Sequence, residues 1–254
     1  MACRAICIAN QKGGVGKTTT TINLSSALAA EGKKILVIDI DPQGNTTSGF
    51  GIDKNEQPVT VYDVIISDIP INEAVLHVDE AGLDLIPSNV DLAAAEIELI
   101  DVEGKEYVLS KEVDKIRDNY DFILIDCPPS LSMLTVNAMT TADTVLVPIQ
   151  CEYYALEGLS QLVRTIELVR ERLNPSLQME GVVFTMYDIR TNLSAQVVEN
   201  VRAHVEEHIF KTLIPRNIRL AEAPSFGKPI NLYEPRSNGA EAYRLLAKEV
   251  IAKK

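Results

Sequence analysis

Short apolar runs alternate along the chain with longer stretches in which apolar residues recur at helical spacing. The runs predicted to be strands are 5–9, 35–39, 83–87, 122–126, 144–149, 181–185 and 212–214. Most are apolar at nearly every position, which is typical of strands buried on both faces. The segments predicted to be helices are 17–31, 90–99, 110–118, 135–141, 156–173, 195–207 and 240–252. This alternation predicts an α/β fold: a mainly parallel, twisted sheet with helices on both faces.

The chain has no low-complexity linker and no internal repeat, so residues 1–254 are predicted to form a single domain. The most polar connection, 44–58, is predicted to be a mobile loop. No apolar run approaches the roughly 18 residues of a membrane-spanning helix. The N-terminus leads directly into a glycine-rich loop, and we therefore do not expect a cleaved signal peptide.

Composition and charge limit the classes of protein to which this chain can belong. Hydrophobic residues make up 46% and charged residues 24% of the chain, as in ordinary soluble globular proteins. The formal net charge of −12 argues against nucleic-acid binding, although a local basic surface is compatible with it. The cysteines are predicted to be reduced, small and mostly buried, since they form no CxxC pair. They are Cys3, Cys7, Cys127 and Cys151.

A phosphate-binding loop is predicted from Lys12 to Thr18, between the first strand and the first helix. Glycines allow backbone N–H groups to surround phosphate oxygens, and the helix N-terminus favours the negative charge. Lys17 is expected to reach the β- and γ-phosphates, and the Thr18 hydroxyl to bind Mg²⁺. The common pattern is broken by Gln11 at its first glycine, and Lys12 is either a second phosphate-binding lysine or a solvated one. The predicted nucleotide-binding residues here are Lys12, Gly13, Gly14, Val15, Gly16, Lys17, Thr18 and Thr19.

Two further apolar strands end in carboxylates, at the edge of the sheet where ligands bind in parallel α/β folds. Asp126 follows an apolar strand in a Walker B arrangement and is predicted to reach the metal, the alternative being a turn or cap aspartate. Asp39 is a candidate magnesium ligand of the second shell. Asp41 is better placed to orient the attacking water, the alternative being an Asp-Pro turn. The loop and these carboxylates together predict ATP hydrolysis with Mg²⁺.

These motifs resemble one family. Lys-Gly-Gly-Val-Gly-Lys-Thr, the stretch 39–45 (Asp-Ile-Asp-Pro-Gln-Gly-Asn) and Asp-Cys-Pro-Pro are similar to the deviant Walker ATPases of the ParA/Soj partition type. The resemblance continues through 185–192, 214–219 and 221–229, and so covers nearly the whole chain.

The resemblance implies a mechanism. Lys12 matches the signature lysine that reaches the partner subunit's nucleotide, in a nucleotide-dependent homodimer that encloses two ATP molecules. Lys12, Lys17 and Asp41 are the implied catalytic residues. Pro215 and Asn217 match the loop that holds adenine.

The same resemblance implies two macromolecular partners. The ATP-bound dimer is expected to bind DNA without sequence preference, and a ParB-type centromere-binding protein is expected to stimulate hydrolysis. Arg190 and Arg219 match DNA-contacting arginines, with Lys228 and Arg236 as weaker candidates. The implied location is the cytoplasm, at the nucleoid.

Three alternatives share the loop. A membrane-cycling ATPase resembling MinD would need a C-terminal amphipathic membrane helix, and the tail here has no Phe or Trp anchor. The second alternative is a metabolic or iron–sulfur enzyme on the same scaffold, like the nitrogenase iron protein. A cluster would need two suitably placed cysteines, and the spacing of Cys127 and Cys151 does not match. A cargo-positioning ATPase would differ in its partner but not in its chemistry.

Overall fold

The computed structural model describes residues 3–152, 155–205 and 208–253. Within these ranges the strands form one eight-stranded sheet in the order β3-β4-β2-β5-β1-β6-β7-β8. All neighbouring strands are parallel except β3 and β4. The strands are β1 (Arg4–Ile8), β2 (Ile35–Asp39), β3 (Leu76–Val78), β4 (Leu83–Ile86), β5 (Phe122–Asp126), β6 (Thr144–Gln150), β7 (Gln178–Tyr187) and β8 (Ile209–Pro215).

Helices cover both faces of this sheet. The α-helices are α1 (Lys17–Ala30), α2 (Asn45–Gly49), α3 (Val61–Ile66), α4 (Leu92–Glu98), α5 (Val108–Val113), α6 (Met133–Thr141), α7 (Ala155–Arg172), α8 (Asn192–His204), α9 (Ile218–Glu222), α10 (Ile230–Tyr233) and α11 (Asn238–Ala252). Short 3₁₀ helices lie at Ile71–Glu73, Leu99–Asp101, Lys105–Tyr107, Arg117–Asn119 and Ala223–Phe226.

The central strands divide their side chains between two hydrophobic cores. In β5, Phe122 and Leu124 point to the core that contains α1 and α11, whereas Ile123 and Ile125 point to the opposite core. Alternate side chains of a strand point to opposite faces, which explains why these strands are apolar at every position. The predicted α/β fold with a mainly parallel, doubly covered sheet is confirmed.

The sequence prediction was wrong or incomplete in several places, and the short helices α3, α9 and α10 are among the elements that it missed. The segment 44–58 contains the helix α2, whose Thr46 and Thr47 are buried and hydrogen-bonded to strand-end carboxylates. The short strand β3 was missed, and it pairs antiparallel with β4 at one edge of the sheet. The helix predicted over 110–118 ends at Val113. The last two residues of the helix predicted over 195–207 lie outside the described residues.

The C-terminal helix α11 is part of the core. Its residues Tyr243, Leu246 and Val250 are at most 1% exposed and pack in the core that contains α1. The Glu249 carboxylate accepts hydrogen bonds of 2.8 Å from the backbone N–H groups of Lys211 and Thr212 on the edge strand β8. Thus α11 closes one edge of the sheet as well as one of its faces.

No helix in the described part of the chain has the length and apolar character needed to cross a membrane.

Candidate nucleotide-binding site

The predicted site lies at the carboxyl ends of three adjacent strands, β2, β5 and β1. Asp126 at the end of β5 is in register with Asp39 of β2 on one side and with Ile8 of β1 on the other. The glycine-rich loop follows β1 and leads into α1. The sheet therefore brings the loop and both carboxylates together, as the sequence predicted.

The loop backbone has a conformation that requires glycine. Gly14 and Gly16 have φ angles of 74° and 91°, in the left-handed region that side chains disfavour. Gly16 is the N-cap of α1, with no side chain capping it. The Thr185 hydroxyl of β7 donates a 2.7 Å hydrogen bond to the Val15 carbonyl, which fixes the loop to the sheet. The first amides of α1 are left facing the loop, as phosphate binding requires.

Lys17 is the buried lysine of the loop, 7% exposed. Its Nζ donates a 3.3 Å hydrogen bond to the Lys12 carbonyl, and so the Lys17 side chain extends back towards the start of the loop. Burial lowers the pKa of Lys17, and the charges of Asp126 and, more weakly, Asp41 oppose this shift. An ammonium group held among glycine amides is suited to neutralise phosphate charge.

Asp126 is fully buried and surrounded by threonine hydroxyls. Its carboxylate accepts hydrogen bonds from Thr18 at 2.8 Å, Thr46 at 2.7 Å and Thr21 at 3.1 Å. Burial raises the pKa of Asp126, the hydrogen bonds from Thr46 and Thr18 oppose the rise, and the charge of Asp41 adds to it. The predicted metal residues Thr18 and Asp126 are therefore in direct contact.

Asp39 lies one step further from the loop. Its carboxylate accepts hydrogen bonds from the backbone N–H and hydroxyl of Thr47, at 2.9 and 2.8 Å, and from the Asp41 N–H at 3.1 Å. Burial, together with the charge of Asp126, raises the pKa of Asp39. These contacts make Asp39 an anchor for the neighbouring residues, in agreement with a place in the second shell of a metal.

Asp41 begins the turn after β2. One carboxylate oxygen accepts a 2.9 Å hydrogen bond from the Gln43 N–H, and the Asp41 carbonyl accepts one of 2.8 Å from the Ser88 hydroxyl. Asp41 is close enough to Asp126 and Lys17 for its charge to affect the pKa of each. The turn thus fixes a carboxylate beside the phosphate loop.

The donor set fits magnesium bound together with a phosphate. Among the residues that the structure describes, no three His, Cys, Asp or Glu side chains form a metal cluster. Mg²⁺ commonly takes only one or two carboxylates and completes its shell with water and phosphate oxygens. Asp126 and the Thr18 hydroxyl supply oxygen ligands of this kind.

The Lys12 side chain forms a 2.5 Å ion pair with Glu152, two residues beyond the end of β6. Half of the Lys12 side chain is exposed, and 44% of the Glu152 side chain. Exposed ion pairs contribute at most about 1 kcal/mol, so this pair is easily exchanged for another partner.

A cavity of about 390 Å³ adjoins the loop at Gly16 and Thr19. The predicted adenine residues Pro215 and Asn217 line it. Sequence reasoning missed Met186, Ile214, Leu220 and Tyr243 in the same lining. Met186 and Ile214 lie in segments 185–192 and 214–219, which carry the family resemblance, whereas nothing in the local sequence marks Leu220 or Tyr243.

Three of the four predicted DNA-contacting residues form ion pairs with neighbouring acids. Arg190 pairs with Asp188 at 2.7 Å, Arg219 with Glu222 at 2.8 Å and Lys228 with Glu80 at 2.9 Å. The hydrogen bonds from Arg190 hold the pKa of Asp188 well below its usual range. Arg236 is exposed. Arg190 lines one cavity with Asn217 and Ile218, the residues before Arg219, whereas Lys228 lines another with His77 and Phe226.

Sequence reasoning also missed four residues that support the site: Thr46, Thr47, Ser88 and Glu152. The threonines follow the Asp39–Asn45 motif directly, so their position after a strand-end carboxylate was a usable signal. Ser88 and Glu152 each follow another strand of the same sheet edge, but nothing in their local sequence sets them apart.

The parallel sheet, the glycine loop before α1 and the carboxylates at the strand ends define a P-loop nucleotide-binding protein. Comparisons with known proteins agree. A family model described as an AAA domain matches residues 3–179. The chain is 53% identical to the sporulation initiation inhibitor protein Soj of Bacillus subtilis over 98% of each chain. It is 54% identical to the chromosome partitioning protein ParA of Caulobacter vibrioides, over 98% of this chain and 94% of that one.

A solved structure gives the same fold. Cobyrinic acid a,c-diamide synthase from Mycobacterium smegmatis, with bound ADP and magnesium, has a TM-score of 0.88 and 38% identity, over 98% of this chain and 94% of that one. The chain belongs to the ParA/Soj family of chromosome-partitioning P-loop ATPases.

Proposed function

We propose that this protein is a partition ATPase. It binds ATP with Mg²⁺, closes as a homodimer around two nucleotides, and in that state binds DNA without sequence preference in the nucleoid. A ParB-type protein stimulates hydrolysis and resets the cycle, which segregates a chromosome or plasmid. The observation that carries the proposal is the pair of lysines in one loop: Lys17 is buried in the loop, whereas Lys12 is half exposed and pairs with the surface acid Glu152.

Each nucleotide group has a matching part of the site. The loop amides and Lys17 would hold the phosphates, Thr18 and Asp126 would hold the magnesium ion, and the cavity lined by Pro215 and Asn217 would hold adenine. When bound, the metal ion neutralises charge on the β- and γ-phosphates.

Hydrolysis needs a residue that orients the attacking water, and Asp41 is our candidate. The Ser88 and Gln43 hydrogen bonds fix its backbone and carboxylate. Asp39 is occupied by Thr47 and the Asp41 N–H, and Asp126 by threonine hydroxyls. The Asp41 carboxylate accepts one hydrogen bond, whereas the carboxylates of Asp39 and Asp126 accept three each. Asp41 therefore has the most capacity to accept a hydrogen bond from water.

Dimerisation gives Lys12 its role. In the single chain, Lys12 neutralises Glu152, and in the dimer it would exchange that acid for the phosphates bound by the partner subunit. Phosphate oxygens carry more charge than one carboxylate, so the exchange is favourable only when nucleotide is present.

DNA binding is proposed for the surface around Arg190 and Arg219, with Lys228 and Arg236 at its margins. In the single chain, acidic side chains neutralise Arg190, Arg219 and Lys228. The net charge of −12 also repels DNA at long range. A dimer doubles the number of Arg and Lys side chains that can contact one DNA duplex. This arrangement favours DNA binding that depends on the nucleotide state.

The test is binding to a nonspecific duplex with ATP, with ADP and without nucleotide, over a salt series. We expect binding only with ATP, weakening steeply with salt, as phosphate contacts require. Arg190→Glu with Arg219→Glu should weaken binding and reduce the salt slope, by about one for each DNA phosphate that is no longer neutralised. Arg172→Glu, an exposed arginine at the far end of α7, is the control. Absence of DNA binding in every nucleotide state, with ATPase activity intact, would remove this part of the proposal.

A MinD-like membrane cycle is the second candidate from the sequence. In that cycle the C-terminal amphipathic helix would bind the membrane through its apolar face. Here Tyr243, Leu246 and Val250 of α11 are buried in the core, whereas Leu245 is 46% exposed. This burial supports a partner other than membrane. Cargo positioning shares the same nucleotide site, and we propose partition because the curated relatives named above carry that role.

A further inference from the structure

The helix α4 has two apolar stripes, of which only one is buried. Leu92, Ala95 and Leu99 pack into the core and are at most 1% exposed. A second stripe faces solvent, with Ile97 72% and Ile100 58% exposed. This outer stripe consists of Val90 in the turn before α4, Ala93 and Ile97 on α4, and Ile100 in the 3₁₀ helix that follows, all exposed. The steps of three, four and three residues are those of a helix face that packs against another helix.

The surroundings of this stripe are strongly acidic. Residues 88–104 include Asp91, Glu96, Glu98, Asp101 and Glu103 and no Lys or Arg. All five acids are exposed. In the described part of the chain, Glu96, Asp101 and Glu103 take part in no ion pair or side-chain hydrogen bond. The nearest base in sequence, Lys105, donates its hydrogen bond to the Ile100 carbonyl.

This surface is connected to the turn that carries Asp41, through the backbone of that turn. Ser88, two residues before the stripe begins, donates its hydroxyl to the Asp41 carbonyl at 2.8 Å and its N–H to the Thr47 hydroxyl at 3.0 Å. The contact with the Asp41 turn is tight, because a Cβ added to Gly44 would lie 2.6 Å from the Ser88 carbonyl oxygen. A shift at the start of α4 would therefore move Asp41.

We propose that the outer face of α4, defined by Val90, Ala93, Ile97 and Ile100 with the flanking Glu96, Asp101 and Glu103, docks a basic amphipathic helix of the activating partner. The inference rests on the proposed function, since it locates the partner's contact. Charge complementarity selects the occupant. A second copy of this face or an anionic membrane would place like charges together, whereas lysines beside a leucine stripe would pair with the acids. A partner bound to this face could change the position of Asp41 through the hydrogen bond between Ser88 and the Asp41 carbonyl.

The direct test uses the full chain and a designed probe: a fluorescein-labelled helical peptide of three heptads, with leucine at the core positions and lysine beside them. We expect the wild-type chain to bind it, as measured by fluorescence anisotropy. Glu96→Lys with Glu103→Lys should weaken binding roughly ten-fold or more, as should Ile97→Ser with Ile100→Ser. The control, Glu167→Lys with Glu171→Lys on α7, changes the net charge equally and should leave binding within about two-fold.

Either of two results would overturn the inference: no peptide binding by the wild-type chain, or equal losses in the α4 and α7 charge variants. Circular dichroism melting would show that each variant is folded.

A second measurement links docking to catalysis. With the cognate ParB-type protein, the α4 variants should need at least about ten-fold more partner for half-maximal stimulation, with basal hydrolysis and ATP-dependent dimerisation unchanged. Unchanged stimulation would place the partner elsewhere and sink the inference. If the wild-type chain is not stimulated at all, the partner clause of the proposed function fails, and the peptide experiment still decides what α4 binds.

Discussion

At the scale of single residues, Lys12 and Lys17 are only five positions apart but have different environments, one exposed and one buried. Lys17 is buried and bonded to the backbone of its own loop, whereas Lys12 extends to Glu152 across the loop surface. Lys17 is placed to act on a nucleotide in its own chain. In our proposal, Lys12 acts on the nucleotide of the partner subunit.

Lys12→Ala should keep nucleotide binding but lose ATP-dependent dimerisation, because the remaining loop residues are untouched. Nucleotide affinity by calorimetry and mass by light scattering, with and without ATP, are the measurements. The matched variant Glu152→Gln removes the competing acid and should strengthen dimerisation by up to about five-fold, corresponding to about 1 kcal/mol for an exposed pair. If Lys12→Ala dimerises normally with ATP, Lys12 has no role across an interface.

Asp41→Ala should bind ATP and trap a dimer while hydrolysis falls by roughly two to four orders of magnitude, the usual range for a lost general base or water-orienting group. Phosphate release measures the first effect and light scattering in ATP the second. Asp53→Ala, an exposed acid further along the same connection, is the control and should behave like wild type. A monomeric product in ATP would contradict the role given to Asp41.

At the scale of elements, α2 holds the strand ends together. Thr46 donates to Asp126, and Thr47 donates to Asp39 and accepts from the Ser88 N–H. A helix of five residues is too short to be stable alone, so these contacts and its packing against α1 stabilise it. In turn, the threonine hydroxyls of α2 donate hydrogen bonds to the buried carboxylates of Asp126 and Asp39.

Thr47→Val should lower the free energy of unfolding by about 1.5–3 kcal/mol, because it leaves a buried carboxylate and the Ser88 N–H without their hydroxyl partner. Urea unfolding followed by circular dichroism is the measurement. Ser48→Ala, an exposed residue of the same helix, should change stability by less than about 0.5 kcal/mol. Equal effects of the two changes would show that α2 is not held through the Asp39 contact.

At the scale of the whole molecule, nucleotide binding should couple to folding stability. Asp41→Ala with ATP and Mg²⁺ at a hundred times the Kd should be about 2.7 kcal/mol more stable than without nucleotide, since only the folded loop binds. Excess EDTA should reverse most of this gain, because the proposed site binds ATP together with the metal. Thermal unfolding with ATP, with and without EDTA, is the measurement. A gain that EDTA does not change would mean that ATP binding does not need the metal, which would contradict the proposed magnesium site.

The sequence predicted most of the scaffold because buried parallel strands are apolar at every position and the phosphate loop has a local signature. It could not show which distant residues meet at the adenine cavity, such as Met186 and Tyr243, because their proximity depends on the packing of β7 and α11. Nor could it predict α2. The polar run 44–58 looks like an exposed loop until the buried partners of its threonines are known.

The contact of Glu249 with β8 has a consequence for how copies of this protein can associate. An open edge strand offers unpaired N–H groups to any other extended chain and invites aggregation. Here the opposite edge is the three-residue strand β3, and on β8 the carboxylate occupies two of the N–H groups that an incoming strand would need. Burial tends to raise the pKa of Glu249, but the hydrogen bonds from Thr212 and Lys211 outweigh it and lower the pKa below 4.5. The carboxylate is therefore charged throughout the neutral range and keeps both N–H groups occupied, so that a continuous sheet through neighbouring copies of the protein is disfavoured.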